Sequence, residues 1–513
     1  MNGSNFFLKM LNWIERVGNR LPHPVTLFAV LTFFILLLSQ LAELLNWRLT
    51  KTIVDAQGVQ REVEVVAQGL LDGEGIWWVF SNLVNNFISF PPLALVLVAM
   101  LGIGVAERSG LIAALIQSSL SRIPGGLLTP AVFFIAVMSS MALDAGYVVL
   151  PPLAAALYLA FGRSPLVGIA AAFAGVSAGF SANLFITAID PLLAGFTQAS
   201  ANLLDETYAV SATANWWFMI ASTLLITLIG WWVTAKIVEP RLANSAEYIV
   251  NRGLENDKTV DSGDAQRGLL WAGCAFGTAL VFILLLVMIP DAPLYGEGKR
   301  FDRWVETIVP IIFIVFIVPG IAYGYGARVF SKERGVAHLM SETMSSLGPY
   351  IVLAFFAAQF IAFFKQSNLG EMLAIVGGQF LILLDLPSSL LIIVFVFLVM
   401  VANLFIGSAS AKYAFLAPVF VPMLMQVGIS PELTQAAYRV GDSVTNIITP
   451  LNPYMVVILA FLQRYMPQAG IGTLVAMMMP YALVFGAVWL VFLLIWMGLG
   501  YELGPEGPLW YGV

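Results

Sequence analysis

Residues 177–197, SAGFSANLFITAIDPLLAGFT, are apolar enough and long enough to cross a bilayer, yet carry Ser181, Asn183, Thr187 and Asp190-Pro191 in mid-run. An ionisable group at that depth is expensive in hydrocarbon, and a helix that only anchors has no use for one. The stretch has an echo 262 positions later, SVTNIITPLNP from Ser443 to Pro453. Ser181 matches Ser443, Ile186 matches Ile448, Thr187 matches Thr449, and Asp190-Pro191 faces Asn452-Pro453. Four identities in eleven positions, three of them on polar or proline residues, together with the Asn183/Thr445 and Asp190/Asn452 swaps, exceed what shared greasiness produces. The chain reads as an internal duplication in a membrane protein.

Composition agrees. Hydrophobic residues make up 60%, charged residues 11%, and the mean hydropathy is +0.89, which excludes a soluble globular protein. The single Cys274 permits no intrachain disulfide, and His23 and His338 both lie in polar connections. A metal cluster and a histidine relay are both poorly supplied. No GxxxxGK[ST], GxSxG or HExxH occurs, so ATP does not drive the protein in cis and an intramembrane hydrolase is disfavoured. Energy must come from an ion gradient.

A helical span needs about 20 mostly apolar residues, and cytoplasmic connections favour Lys and Arg. On those rules Val25 to Leu45 is the first span, with the N-terminus cytoplasmic and an outer acid-rich loop over Asn46 to Gly75. Pro92 to Ala106 returns inward, and Ser109 to Ser121 is a short interfacial helix. Thr129 to Phe161 is broken at Ser139 to Tyr147 and flanked by Arg122 and Arg163, which predicts a hairpin entering and leaving on the same side. Pro165 to Thr197 follows as a broken outward helix. Trp216 to Ala235, Gly268 to Ile289 and Trp304 to Ala327 are connecting spans, with a charged cytoplasmic segment over 239–267. Pro349 to Phe364, a second hairpin from Leu386 to Val427 broken at Asn403 to Tyr413, and a broken helix from Pro431 to Leu462 repeat the unit. Pro480 to Leu499 then ends outside. The predicted architecture is an all-α polytopic membrane protein with an inverted repeat, nine transmembrane helices, two re-entrant hairpins and two discontinuous helices. Its divisions are 1–84 (first span and outer loop), 85–200 (repeat 1), 201–344 (connecting spans), 345–462 (repeat 2) and 463–513 (last span). With a four-residue gap the copies also match at Tyr147/Tyr413, Pro152/Pro418, Ser164-Pro165/Ser430-Pro431 and Gly175/Gly441. Inverted repeats with discontinuous helices meeting at mid-membrane are the layout of secondary transporters. An ion channel or sensor is the competing class, and it has no need of two matched gates.

Asp190 and Asp442 are read as the two carboxylates on the broken helices, with Arg439 a helical neighbour of Asp442. Asp144 marks the first hairpin tip and Lys412 the second, where the repeat sets Ser410 and Gly146 against them. Ser181, Asn183, Thr445 and Asn446 offer hard oxygens to an alkali cation at the half-helix ends, or back-bond to freed carbonyls. Pro431, Pro450 and Pro453 are expected to make the breaks. Tyr413, beside Lys412, is placed to stack on an aromatic substrate, while the Trp216-Trp217 and Trp231-Trp232 pairs suit an interfacial belt.

HPVTLF (His23 to Phe28), AERSGL (Ala106 to Leu111), GRSP (Gly162 to Pro165), GFSANLFITAIDPLLAG, EPRL (Glu239 to Leu242), SASAKYAFLAPVFVPM and RVGDS (Arg439 to Ser443) together resemble the AbgT family of p-aminobenzoyl-glutamate transporters, nearly end to end. The resemblance implies a carrier of p-aminobenzoyl-glutamate or an exporter of sulfonamide antimetabolites, and GYVVLPPL and SAKYAFLAP look closer to the exporting arm. It implies a multi-pass protein of the bacterial inner membrane, C-terminus periplasmic, working as a homodimer with one pathway per protomer, and no nucleic-acid partner. Carried over by motif, its functional positions are Asp190, Ser410, Tyr413, Pro431, Asp442 and Pro450, with Asn403 a candidate sodium ligand; with Asp442 and Asn446, read from their place at the break, it forms the expected sodium set. Exporters of this type have tryptophan where this chain has Tyr413. The SAN and TN elements also resemble signatures of divalent anion–sodium symporters, so a sodium-coupled dicarboxylate-type symporter is the alternative. No cofactor is expected, and the coupling ion is H+ and/or Na+. The neutral oxygens favour at least one sodium at the repeat interface, nearer Asp442 than Asp190. The family's proton-driven efflux points the other way.

Overall fold

The computed structural model describes residues 24–54, 60–120, 124–142, 145–243, 262–289, 292–295, 303–304, 307–449, 451–452 and 454–512. Helix α1 (Pro24–Leu44) leads into an antiparallel hairpin of β1 (Arg48–Val54) and β2 (Gln60–Val66), with Arg48 opposite Val66. Helices α2 (Gly73–Ile88), α3 (Pro91–Arg108), α4 (Leu111–Leu120), α5 (Leu128–Met138), α6 (Ala145–Ala160), α7 (Pro165–Ala178) and α8 (Ile189–Ala201) follow. Then come α9 (Trp216–Val233), running on through a π turn (Thr234–Val238) into α10 (Glu239–Ala243), and α11 (Ser262–Met288), α12 (Ile308–Gly326) and α13 (Glu333–Ser346). Last are α14 (Gly348–Gln366), α15 (Leu369–Leu383), α16 (Ser388–Phe405), α17 (Ala409–Met425), α18 (Pro431–Thr445), α19 (Met455–Gln463) and α20 (Ile471–Leu499).

The packing has a two-fold pattern. Arm α5 lies on α7 as α16 lies on α18. Arm α6 crosses to α19 of the other copy, and α17 crosses to α8. Helices α7 and α18 touch each other, α9 covers α5 and α7, and α20 covers α16 and α18. Local rules build both copies alike. Prolines open α7 and α18 at a position where no amide hydrogen is needed. Gly162 (φ +70°) and Gly428 (φ +80°) end α6 and α17 in the left-handed region that only glycine enters cheaply. Arg163 N–H donates to Tyr158 O at 2.8 Å as Ile429 N–H donates to Leu424 O at 3.0 Å, with the same sequence offset that pairs Tyr147 with Tyr413.

Among the described residues eight helices are long and apolar enough to cross a membrane. Seven of them cover predicted spans and the eighth is Ser388–Phe405, an arm of the second predicted hairpin. The two discontinuous helices fall outside that group because each is interrupted, at 179–188 and 446–454.

Three segments differ from the sequence reading. The outer loop is not all loop: β1 and β2 pair within it. Helix α2 follows it, opened by Asp72, whose carboxylate accepts from Gly75 N–H at 2.6 Å. Its inner face meets α14 through Asn86 on Gln359 (3.0 Å) and the Trp78–Phe363 ring contact. Between α14 and the second hairpin stands α15, where the reading has no element; Gly377 and Gly378 let it lie close to Met423 and Gln426. Pro431 starts α18, with Ser430 as its cap (Leu433 N–H to Ser430 Oγ, 3.0 Å), and so does not break a helix. Pro450, Pro453, Asp144 and most of the 239–267 segment lie outside the described residues.

Candidate functional site

The two breaks meet. Ser181 N–H donates to Ser443 Oγ at 3.2 Å, and these are the matched residues of the two copies. A residue touching its own equivalent marks the pseudo-symmetry axis. Asn452 Nδ2 crosses to Ser177 Oγ at 3.3 Å beside it.

Ending α7 at Ala178 and restarting at Ile189 frees backbone groups that side chains must satisfy. Asn183 Nδ2 reaches back to Ser140 Oγ (3.1 Å) and Met138 O (3.4 Å) on the first hairpin, and its Oδ1 accepts from Phe185 N–H at 3.0 Å. Asn452 repeats the local turn, accepting from Tyr454 N–H at 3.0 Å. Asp190 Oδ2 caps the restart, accepting from Thr187 N–H (2.6 Å) and Thr187 Oγ1 (2.8 Å).

The charges pair differently from the sequence expectation. Arg439, fully buried on α18, turns from Asp442 to Asp190 of the other copy, Nη2 to Oδ1 at 2.6 Å. Asp442 instead meets Lys412, whose buried ammonium also donates to Asn403 Oδ1. Asn403 Nδ2 faces Asp442 O (2.7 Å), Thr445 Oγ1 (2.8 Å) and Asn446 Oδ1 (2.9 Å). Four charges are thus held as two pairs; unpaired, each would cost several kcal/mol to bury. The broken helices also carry a third carboxylate beyond Asp190 and Asp442. Glu432, in the first turn of α18, is 1% exposed and accepts from Tyr208 OH at 2.9 Å. Its position two residues after the Ser430 cap was the available signal.

Tyr413 is fully buried. Its ring lies 4.3 Å from Tyr438, and its hydroxyl bonds Thr197 Oγ1 (2.7 Å) on α8, which in turn donates to Gln435 Oε1 (2.7 Å). Ser410 is half-buried near the start of α17, 3.2 Å from the capping Ser408 hydroxyl. Two buried acceptors at the meeting point have no hydrogen-bond partner among the described residues: Ser181 Oγ and Asp442 Oδ2, one from each copy. Open polar atoms beside buried charges suit a ligand or ion. Among the described residues no group of three His, Cys, Asp or Glu could hold a metal.

The end of the molecule that carries the start of α18 is strapped by the C-terminal tail. Ser430 N–H donates to Leu509 O (3.2 Å), Phe218 N–H to Leu503 O (2.9 Å), and Tyr511 OH to Asp205 (3.1 Å). Partial burial pushes the Asp205 carboxyl up, but hydrogen bonds from Thr207 and Tyr511 outweigh it and hold the group below the usual range. At the other end Arg163 clasps Glu239 with two 2.8 Å bonds and lies 4.4 Å over Tyr158, joining the GRSP and EPRL motifs.

Residues 9–511 match the AbgT putative transporter family. The p-aminobenzoyl-glutamate transport protein of Escherichia coli K12 is 36% identical, over 97% of this chain and 96% of its own. The Alcanivorax borkumensis YdaH transporter superposes with a TM-score of 0.88 at 44% identity, covering 94% of this chain and all of that one. Neisseria gonorrhoeae MtrF, described within a class of antimetabolite efflux pumps, gives 0.90 at 43% identity, covering 97% of this chain and all of its own.

Proposed function

Because the chain belongs to the AbgT family and is a multi-pass membrane transporter, not an enzyme, we propose that it is an ion-gradient-driven carrier of p-aminobenzoyl-glutamate-like compounds or sulfonamide antimetabolites. It works in the bacterial inner membrane as a homodimer, N-terminus inside and C-terminus outside. The observation that carries this reading is the contact of Ser181 with Ser443 at the junction of two half-helix breaks, flanked by the Asp190–Arg439 and Asp442–Lys412 pairs. A ligand with an aromatic amine and a carboxylate finds both cations and open acceptors there. Inverted copies sharing one buried site can expose it to either side in turn. Proton and sodium are the candidate coupling ions.

Proteoliposomes loaded with unlabelled p-aminobenzoyl-glutamate or a sulfonamide should accumulate labelled substrate by counterflow, with pH and sodium gradients imposed separately. Asp190→Asn at equal incorporation should abolish the response to the driving gradient. Flux without trans-stimulation would instead mean a channel.

A further inference from the structure

The second break carries a shell shaped for a cation. Asp442 and Thr445 lie in the last turn of α18, where the helix dipole is negative. Asn403 and Asn446 add amide oxygens to the carboxylate, the set that the sequence expectation assigns to sodium.

The shell does not fit sodium as it stands. Asn403 Oδ1 and Asp442 Oδ1 both accept from Lys412. With its oxygen held by the ammonium, the Asn403 amide turns its Nδ2 donor toward Asp442 O, Thr445 Oγ1 and Asn446 Oδ1. A cation there would meet an ammonium and an amide donor where it needs acceptors. Nor does α17 hold the ammonium by itself, for Lys412 is its fourth residue and the positive end of a helix dipole repels it. What retains the charge is Asp442 and the C-terminal end of α18.

We propose that Lys412 is a built-in cation: its ammonium occupies the sodium position of the second break and excludes sodium from it, making Lys412 a determinant of which ion couples. The repeat supports this, because the matched position in the first copy is Gly146 and supplies no charge. A Cβ on Gly146 would come within 2.3 Å of Ser139 Oγ, so that break cannot take the same device. The inference rests on the carrier reading for its consequence, but sodium binding is measured without substrate, so the two fail separately.

The test is saturable binding of radioactive sodium to purified full-length protein, with choline as the replacement ion. In wild type, Asn403→Ala should leave sodium binding unchanged. Lys412→Ala should bind sodium at least about tenfold more tightly than wild type, and Lys412→Ala with Asn403→Ala should lose that gain. Wild-type sodium binding abolished by Asn403→Ala would overturn the proposal. So would a folded Lys412→Ala protein that binds no more tightly than wild type. Should Lys412→Ala fail to fold, Lys412→Gln keeps most of the volume without the charge, and the comparison of wild type with Asn403→Ala decides alone.

Discussion

The two breaks share a backbone plan and differ in chemistry. At 179–188 the polar groups are neutral: Asn183 turns to Ser140, Ser181 keeps an open hydroxyl, and the one carboxylate, Asp190, leaves for Arg439 in the other copy. At 446–454 the charges stay home, with Lys412, Asp442 and Asn403 closed on one another within the second copy. The two copies share the same interrupted-helix plan, while the buried ammonium stands beside only the second break, the matched position in the first being Gly146. Geometry can therefore stay nearly symmetric for alternating access while ion and substrate recognition become one-sided.

The largest effect that can break this comparison is expected at Asp442. Asp442→Asn leaves a fully buried ammonium without its anion, which should cost about 3–5 kcal/mol of stability and all transport. Adding Lys412→Met should restore most of the stability without restoring transport, as read by thermal unfolding in detergent and by proteoliposome flux. Asp442→Asn as stable as wild type would mean that the pair is not closed in the way described.

A smaller effect is expected at Tyr413. Its ring is buried on Tyr438 and its hydroxyl is tied to Thr197, so it joins the second hairpin to the first copy's half-helix. Tyr413→Phe should cost about 1 kcal/mol for the lost hydrogen bond, with ligand affinity nearly intact. Tyr413→Ala should cost about 3–5 kcal/mol, the range for deleting a buried aromatic. A Tyr413→Ala protein of native stability but weakened binding of p-aminobenzoate-like ligands would restore the substrate-stacking role that the sequence suggests.

These residues also show what was legible in the chain. The polar residues inside an apolar run, and their recurrence 262 positions on, pointed to the contact that the structure makes between Ser181 and Ser443. The positions of seven of the eight long apolar helices followed from apolar length and flanking charge, while α15 did not. Pairing did not follow, because spacing placed Arg439 beside Asp442, whereas the tertiary fold turned it to Asp190. The same limit hid Glu432, which looks like an ordinary first-turn acid until the C-terminal tail is seen to bury that end of α18. Helix α2 was hidden differently: Ile76, Phe80, Val84 and Ile88 form an exposed apolar stripe and Trp78 and Phe87 pack inward, but Ser81, Asn82, Asn85 and Asn86 interrupt the run, so it lacks the continuous apolar length of a span.

The smallest stability effect, and the sharpest probe of the neutral break, belongs to Ser181. Its hydroxyl is buried and has no hydrogen-bond partner among the described residues, while its backbone N–H makes the contact to Ser443. Ser181→Ala therefore removes no internal hydrogen bond, and stability should stay within about 0.5 kcal/mol of wild type. If the first break binds the transported ligand or the coupling ion, the open oxygen is a ligand in waiting. Ser181→Ala should then weaken substrate or ion affinity several-fold in counterflow, with the maximal rate little changed. Asn183→Ala, by contrast, should lower stability as well, because Asn183 holds the first hairpin through Ser140. Ser181→Ala with wild-type affinity for both ligands would assign recognition to the charged break alone, and the neutral one would then serve only as a hinge.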